Sequence, residues 1–443
     1  MRNCKHFTID DLDLFKRQVM EYYKCEEYFT LLESNSKHNS NTSSSALIAI
    51  GAIAVLETDC QNAFKKLQHF KELHKDWIFG LLGYDLKNEV EQLKSKNPDI
   101  MEFPDLIFYI PELVMEFKDN NLLIHFKEDK TPDFESLLNK IKGFATDRIL
   151  YSRNDRPQSH LVATDTREEY LDKVDMVRQH IQQGDIYEAN FCTQFYATDV
   201  DFDLFRGFRD LNQNSQPPFA ALARLKNYGM VSASPERYLK KTGLTVISQP
   251  IKGTARRSDN LREDDDLKSG LINDQKERSE NIMIVDLVRN DLSRTAQKGT
   301  VEVTELFKLY TFKQVHQMIS TIESKVSPAV TLSEILATTF PMGSMTGAPK
   351  VEAMKIIENL ESFKRGAYSG ALGYCKPDGD FDFSVLIRTI LYNTESKNLS
   401  FSVGSAITIA AVPEREYDEC LVKAAALLEV LEKQGIKRSH HAS

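Results

Sequence analysis

The sequence predicts an α+β protein in which strand-rich segments carry helices on their faces, and three observations support that class. Short apolar alternations such as Asp105 to Met115 and Asn121 to Phe126 mark an antiparallel sheet with a few helices in the first third of the chain. An apolar stripe of Tyr170, Val174, Val177 and Ile181 marks a helix from about Arg167 to Gln183, which Gly184 stops. From there strands and helices alternate to the end. The strands are expected at Tyr187–Ala197, Gly229–Ser234, Leu244–Ile251, Ser369–Tyr374, Phe383–Tyr392 and Leu399–Ile409, and the last helix at about Glu416–Lys433.

Two polar stretches punctuate this pattern. Ser34 to Ser45 (SNSKHNSNTSSS) has no apolar face and is expected as an exposed loop. Tyr151 to His160 (YSRNDRPQSH) separates regions of different texture, so two lobes are expected, residues 1–150 and residues 160–435, with the chemistry in the second.

Composition narrows the function. The 443 residues carry 65 acidic and 56 basic side chains, a net charge of −9, which argues against a nucleic-acid or anionic-membrane binder. With 41% hydrophobic and 27% charged residues, the chain can bury a large core. The longest apolar run, Ala46 to Leu56, is too short for a bilayer span, and the start MRNCKHFTIDD has no apolar signal region. Six scattered cysteines without a C-x-x-C pair fit a reducing compartment, so a soluble cytoplasmic protein is expected.

Four features point to chemistry. Glu277 and Glu280 open a helix over Glu277–Val288, and Glu416 and Glu419 repeat the spacing at the start of the last helix, followed on the same face by Lys423 and Leu427. Spacings of three and four residues put each pair on the inward face. The helix dipole alone favours acids in a first turn. Four carboxylates in one cleft, however, need a hard cation, and oxygen-only ligands favour Mg²⁺. In QPIKGTARR, Pro250 and Gly253 bracket Lys252, and an inward, desolvated lysine has a lowered pKa and becomes an amine nucleophile. A lysine at a strand end is otherwise a solvated surface group. PMGSMTGAPK (Pro341–Lys350) leads into an amphipathic helix whose start can present backbone N–H groups to an anion, with Pro349 suited to a first helical position. Arg388, in the apolar run FSVLIRTILY, must be paired in a salt bridge or stand at a cleft as a carboxylate clamp. Together these suggest a site for a small, multiply anionic carboxylate.

These blocks resemble the chorismate-utilising enzymes, the group containing anthranilate, aminodeoxychorismate, isochorismate and salicylate synthases. GDIYEANF, SPERY, PIKGTARR, ERSENIMIVDLVRNDLSR, GSMTGAPK, GAYSGALGY, IRT and PEREYDE follow in the family's order over about Thr166 to Val430, with weaker likeness at LLES and WIFGLLGYDL. The resemblance implies two large β-sheets packed face to face with helices outside and the active site in a cleft between them. It makes residues 1–150 the family's N-terminal lobe and 160–435 its chorismate-binding region. P-I-K-G-T around Lys252 is similar to the aminodeoxychorismate-forming branch; anthranilate-forming members typically have P-I-A-G-T and are the alternative. Water-adding members carry a lysine base where this chain has Glu188, a position that is more often Gln in aminating members.

The resemblance also implies roles. Glu277, Glu280, Glu416 and Glu419 would hold Mg²⁺ against the ring carboxylate of chorismate. Arg388, Tyr368, Ser344, Lys423 and the backbone at Gly404 would position the substrate. Lys252 would attack C2 while Glu236 protonates the leaving C4 hydroxyl, and His316 would line the site, although a lone histidine is equally a packed core residue. Ammonia would come from a glutamine amidotransferase subunit, since no Cys stands in a G-x-C-x-G-x-Q context here. Some members hold tryptophan near LLES and a loop matching QPPFA (Gln216–Ala220); Ser43 to Ser45 stand where the arginine of that pocket is expected.

Overall fold

Alternation along the strands sorts apolar side chains between two cores. In the strand Ala46–Ile50, Leu47 and Ala49 face one core while Ile48 and Ile50 face the other. That division is the signature of a buried sheet covered on both faces. The computed structural model describes residues 2–35, 46–128, 133–145, 159–312 and 315–438. Within them lie a 13-stranded and a 10-stranded sheet. The core between the sheets joins Leu47, Ala49, Ala221 and Met230 of the larger to Phe79, Leu81, Leu372 and Tyr374 of the smaller. Tyr109 makes a polar link across it, its hydroxyl donating to Thr30 Oγ1 at 2.9 Å. The other core lies between the larger sheet and helices that contribute Phe15, Tyr170, Phe205 and Leu427.

The fold class is as the sequence predicts, but the lobes are not separate bodies. Tyr28–Glu33 pairs with Phe219–Leu225, and Ile78–Leu82 pairs with Ala371–Cys375, so both sheets draw strands from both sides of residue 150. Joining these edges satisfies backbone groups that two independent lobes would leave open. Most of the expected loop at 34–45 and of the polar stretch at 151–160 lies outside the described residues.

Local signals act as expected in the helix Arg167–Gln183, where Thr166 and Glu169 form a capping box and Gly184 closes the end at φ +87°. The helices carrying the acid pairs run longer than expected, Gln275–Ser293 and Pro413–Glu432. The PMGSMTGAPK helix spans Lys350–Leu360 with Pro349 as its N-cap rather than its first helical residue. Two expected strands are each two. Pro250 divides Thr245–Gln249 from Ile251–Arg256. The run at 383–392 divides into Phe381–Val385, in the smaller sheet, and Thr389–Asn393, in the larger. The chain makes the reverse crossing between Tyr228–Ser234 and Arg237–Thr242. Among the described residues no helix is long and apolar enough to cross a membrane.

Tyr109 gives a test of the inter-sheet core. Tyr109→Phe is expected to cost about 1 kcal/mol through the lost hydrogen bond, and Tyr109→Ala about 3–5 kcal/mol through the cavity it leaves. Urea unfolding midpoints check both, and equal effects of the two variants would contradict this picture.

Candidate active site

The two crossings between the sheets are bonded to each other. Val385 N–H donates to Glu236 O at 3.0 Å, and Ala233 N–H donates to Arg388 O at 3.0 Å. Arg388 adopts φ +50°, a conformation that costs a non-glycine residue about 1–3 kcal/mol and that the surrounding bonds must impose. The geometry sets Glu236 and Arg388 in the wall of a cavity of about 520 Å³.

That cavity gathers nearly every residue the sequence singles out. Lys252, Glu236, Ser344, Tyr368, Arg388, Gly404, Lys423, Glu277, Glu280, Glu416 and Glu419 all line it. His316 does not. It is fully buried, with Nε2 2.9 Å from Asp264 Oδ1 and Nδ1 3.0 Å from Thr311 Oγ1, and Arg257 pairs with the same aspartate at 2.9 Å. Its neighbour Gln317 lines the cavity instead, opposite Thr254 in the ladder, because successive strand residues face opposite ways. His316 is therefore corrected to a structural role beneath the 257–264 turn.

Lys252 points inward and is 9% exposed. Its ammonium forms a buried ion pair with Glu188 Oε1. Burial pulls its pKa down, but Glu188, Glu280 and Glu236 outweigh that and hold it above the ordinary value. The lowered pKa expected of a desolvated lysine is thus reversed by its acidic surroundings. Gly253, at φ +89°, admits the neighbouring acid: a Cβ there would lie 3.2 Å from Glu277 Oε2.

Glu236 is a different carboxyl. Burial pushes it up to about 7, against the hydrogen bond that Ser344 Oγ donates at 2.6 Å. It holds its proton near neutrality, as a general acid must. Arg388 has no acidic partner among the described residues, and burial alone lowers its pKa. The salt-bridge alternative for Arg388 is thereby removed, and a half-buried, unpaired guanidinium facing a cavity calls for an anion. Tyr368, fully buried, meets Cys192 Sγ at 3.7 Å. Gly404 is required where it stands, since a Cβ would lie 2.4 Å from Cys192 Sγ; its carbonyl accepts from Lys423 Nζ at 2.8 Å.

The acid pairs face each other across Lys276, which the sequence reading missed. Its ammonium is 3.5 Å from Glu416 and 3.8 Å from Glu280. The i, i+4 spacing to Glu280 in KERSE is the signal that could have found it. Burial pushes Glu280 up to about 7 and raises Glu277, while Lys423, 2.7 Å from Glu419, overrides burial and holds Glu419 low. Glu280 Oε1 is buried without a hydrogen-bond partner. Such an under-compensated, oxygen-only set fits a hard divalent cation. Among the described residues, however, no three acids, histidines or cysteines are drawn together as a ligand group.

A smaller cavity of about 70 Å³ lies by Leu32–Ser34 and Pro218–Ala220, where the resemblance implies tryptophan in some members. Arg237 occupies its wall, paired with Asp382 at 2.9 Å. Ser43 to Ser45 lie outside the described residues.

Comparison with known proteins bears on the family and the fold. The family model described as chorismate binding enzyme matches residues 27–429. Aminodeoxychorismate synthase component 1 of Escherichia coli is 36% identical over 360 residues, covering 80% of this chain and 76% of that protein. Anthranilate synthase component 1 of Thermus thermophilus is 34% identical over 364 residues, covering 80% and 77%. The crystal structure of anthranilate synthase component I from Streptococcus pneumoniae superposes with a TM-score of 0.75 at 23% identity, covering 88% of this chain and 94% of that one, and supports the fold. The chain belongs to the chorismate-binding enzyme family, and its cavity is the candidate active site.

Arg388→Gln is expected to weaken chorismate binding by about 10- to 150-fold, the worth of one charge-assisted hydrogen-bonded contact, while leaving the melting temperature unchanged or higher. Titration calorimetry and thermal melts check this. Unchanged affinity with lowered stability would make Arg388 a structural residue.

Proposed function

We propose that the protein converts chorismate and ammonia to 4-amino-4-deoxychorismate, as the large subunit of an aminodeoxychorismate synthase supplying p-aminobenzoate and folate synthesis. The observation that supports this most is Lys252, buried against the cavity beside a carboxyl that keeps its proton to about 7. A lysine in P-I-K-G-T resembles the aminodeoxychorismate-forming branch, and the Escherichia coli relative carries that name. Anthranilate formation is the second reading, favoured by the Thermus thermophilus relative at nearly the same identity.

In the proposed reaction Arg388 holds one carboxylate of chorismate, with Tyr368 and the backbone at Gly404 shaping the ring's place. Glu277, Glu280, Glu416 and Glu419 are the residues that would hold Mg²⁺, which when bound neutralises the other carboxylate and draws charge from the ring. Lys252 attacks C2 as Glu236 gives its proton to the C4 hydroxyl, which leaves as water. Ammonia then adds at C4 and the lysine departs. A separate glutamine amidotransferase subunit is proposed as the ammonia source. Six free cysteines suit a reducing cytoplasm for this work.

Product identification after incubation with chorismate, Mg²⁺ and ammonia tests the proposal. 4-Amino-4-deoxychorismate is expected; anthranilate and pyruvate would establish the second reading. Chelation of the metal, or Glu280→Gln, is expected to abolish turnover, and full activity in excess chelator would remove the metal from the account. Glutamine is expected to replace ammonia only when an amidotransferase is added, so glutamine-dependent turnover by the purified chain alone would contradict that partner.

The sign of the pH dependence follows from Glu236. Its acid form prevails below about 7, so the rate per free ammonia should fall as pH rises through that value. Glu236→Gln should cost on the order of 100-fold. A pH–rate profile without this falling limb would exclude Glu236 as the acid.

A further inference from the structure

An ammonium has no lone pair, so a lysine held in an ion pair must lose a proton before it can form a bond. Lys252 meets one group directly, Glu188. Glu188 is 1% exposed and does not line the cavity; it stands behind the lysine in the strand Glu188–Ala197. Its second oxygen, Oε2, is buried with no hydrogen-bond partner. A buried carboxylate with one oxygen on the amine and the other unsatisfied has free capacity to accept a proton without contact with solvent. The other acids around Lys252 are Glu280, Glu277, Glu236 and Glu419, and none is within ion-pair distance of its nitrogen. Glu236 already has a proton to deliver, and the remaining three belong to the proposed metal set.

We infer that Glu188 is the proton acceptor for Lys252, taking one proton from the ammonium as the amine attacks and returning it when the lysine leaves. This rests on the covalent route proposed above. The steps balance. One Nζ–H proton passes to Glu188, and the freed lone pair forms the Nζ–C2 bond. The C1–C2 π pair moves to C1–C6, the C5–C6 π pair moves to C4–C5, and the C4–O bond breaks, with Glu236 protonating the oxygen so that water departs. In the second half, the ammonia lone pair forms the N–C4 bond, the C4–C5 π pair returns to C5–C6 and the C1–C6 π pair returns to C1–C2. The C2–Nζ bond breaks onto nitrogen, Glu188 reprotonates Lys252, and the new C4 ammonium gives a proton to Glu236. Both carboxyls finish as they began, so no oxidant or further reactant is needed.

The test is the rate of covalent adduct formation with chorismate and Mg²⁺ but no ammonia, followed by rapid quench and intact-protein mass spectrometry. Glu188→Gln, the residue more often found here in aminating members, preserves the size and an acceptor oxygen but cannot take the proton, so it tests whether this chain depends on its own carboxylate. It is expected to slow the adduct by about 100-fold or more, the range of general-base contributions, with the half-saturating chorismate concentration unchanged. Glu188→Ala is expected to be slowed likewise and to recover at least tenfold when formate is added, since a small carboxylate can enter the vacated space. A structural role predicts neither that split between rate and binding nor the rescue. An adduct formed by Glu188→Gln within threefold of the native rate, lost chorismate binding, or no rescue by formate would each overturn the inference. Should Glu188→Gln fail to fold, formate rescue of Glu188→Ala decides alone. If the native protein forms no adduct on Lys252, the covalent reading itself falls and this inference with it; a native adduct with an unaffected Glu188→Gln overturns the inference alone.

Discussion

The chain passes between the two sheets at Pro235–Glu236 and again at Leu386–Arg388, and these two passages are tied together by backbone hydrogen bonds of 3.0 Å. The site depends on that lock. A strand end that stays in its sheet aims side chains at a neighbouring face, whereas a passage between sheets leaves them in the gap. Here it delivers an acid and a guanidinium to one cavity, on elements whose far ends are anchored in two large ladders. The φ of +50° at Arg388 is the local cost of the arrangement, and its half-buried, unpaired charge is a second. Both are tolerable because the sheets on either side over-determine the path.

Around that lock the electrostatics divide the work. Glu236 is buried with weak opposition and keeps its proton to about 7. Lys252, equally enclosed, is surrounded by acids and stays charged. Two groups that both lie out of water are thus driven to opposite states by their neighbours, a carboxyl that keeps its proton and an ammonium that keeps its charge, which suits the donor and nucleophile of the proposed reaction. The acid pairs on the Gln275–Ser293 and Pro413–Glu432 helices hold an excess of negative charge that Lys276 offsets only at 3.5 and 3.8 Å, which leaves room for a stronger cation.

Helical features were legible in the sequence because their period is local. The inward turn of Glu280 and Glu416 follows from spacing alone, and so does the helix from Arg167 to Gln183. Strand features were less legible. FSVLIRTILY holds no Gly or Pro to announce a break, so the passage between sheets at Leu386–Arg388 is a tertiary decision and reads as one continuous strand. His316 and Gln317 stand in a strand buried on both faces, where alternation gives no sign of which residue meets the cavity. The Glu188–Lys252 pair joins residues 64 apart in sequence, and no local pattern could report it. The merger of the expected lobes has the same origin, since strand partners from distant segments are chosen by edges that propensity does not describe.

The central claim is that one cavity holds chorismate between Arg388 and the four carboxylates, with Lys252 and Glu236 facing the ring. A crystal structure of the protein with chorismate and Mg²⁺ tests it most directly. The account predicts one substrate carboxylate hydrogen-bonded to the Arg388 guanidinium, the other at a metal ligated by acids of the two helices, and Lys252 Nζ in line with C2. Chorismate bound away from Arg388, or a metal held by other residues, would contradict it.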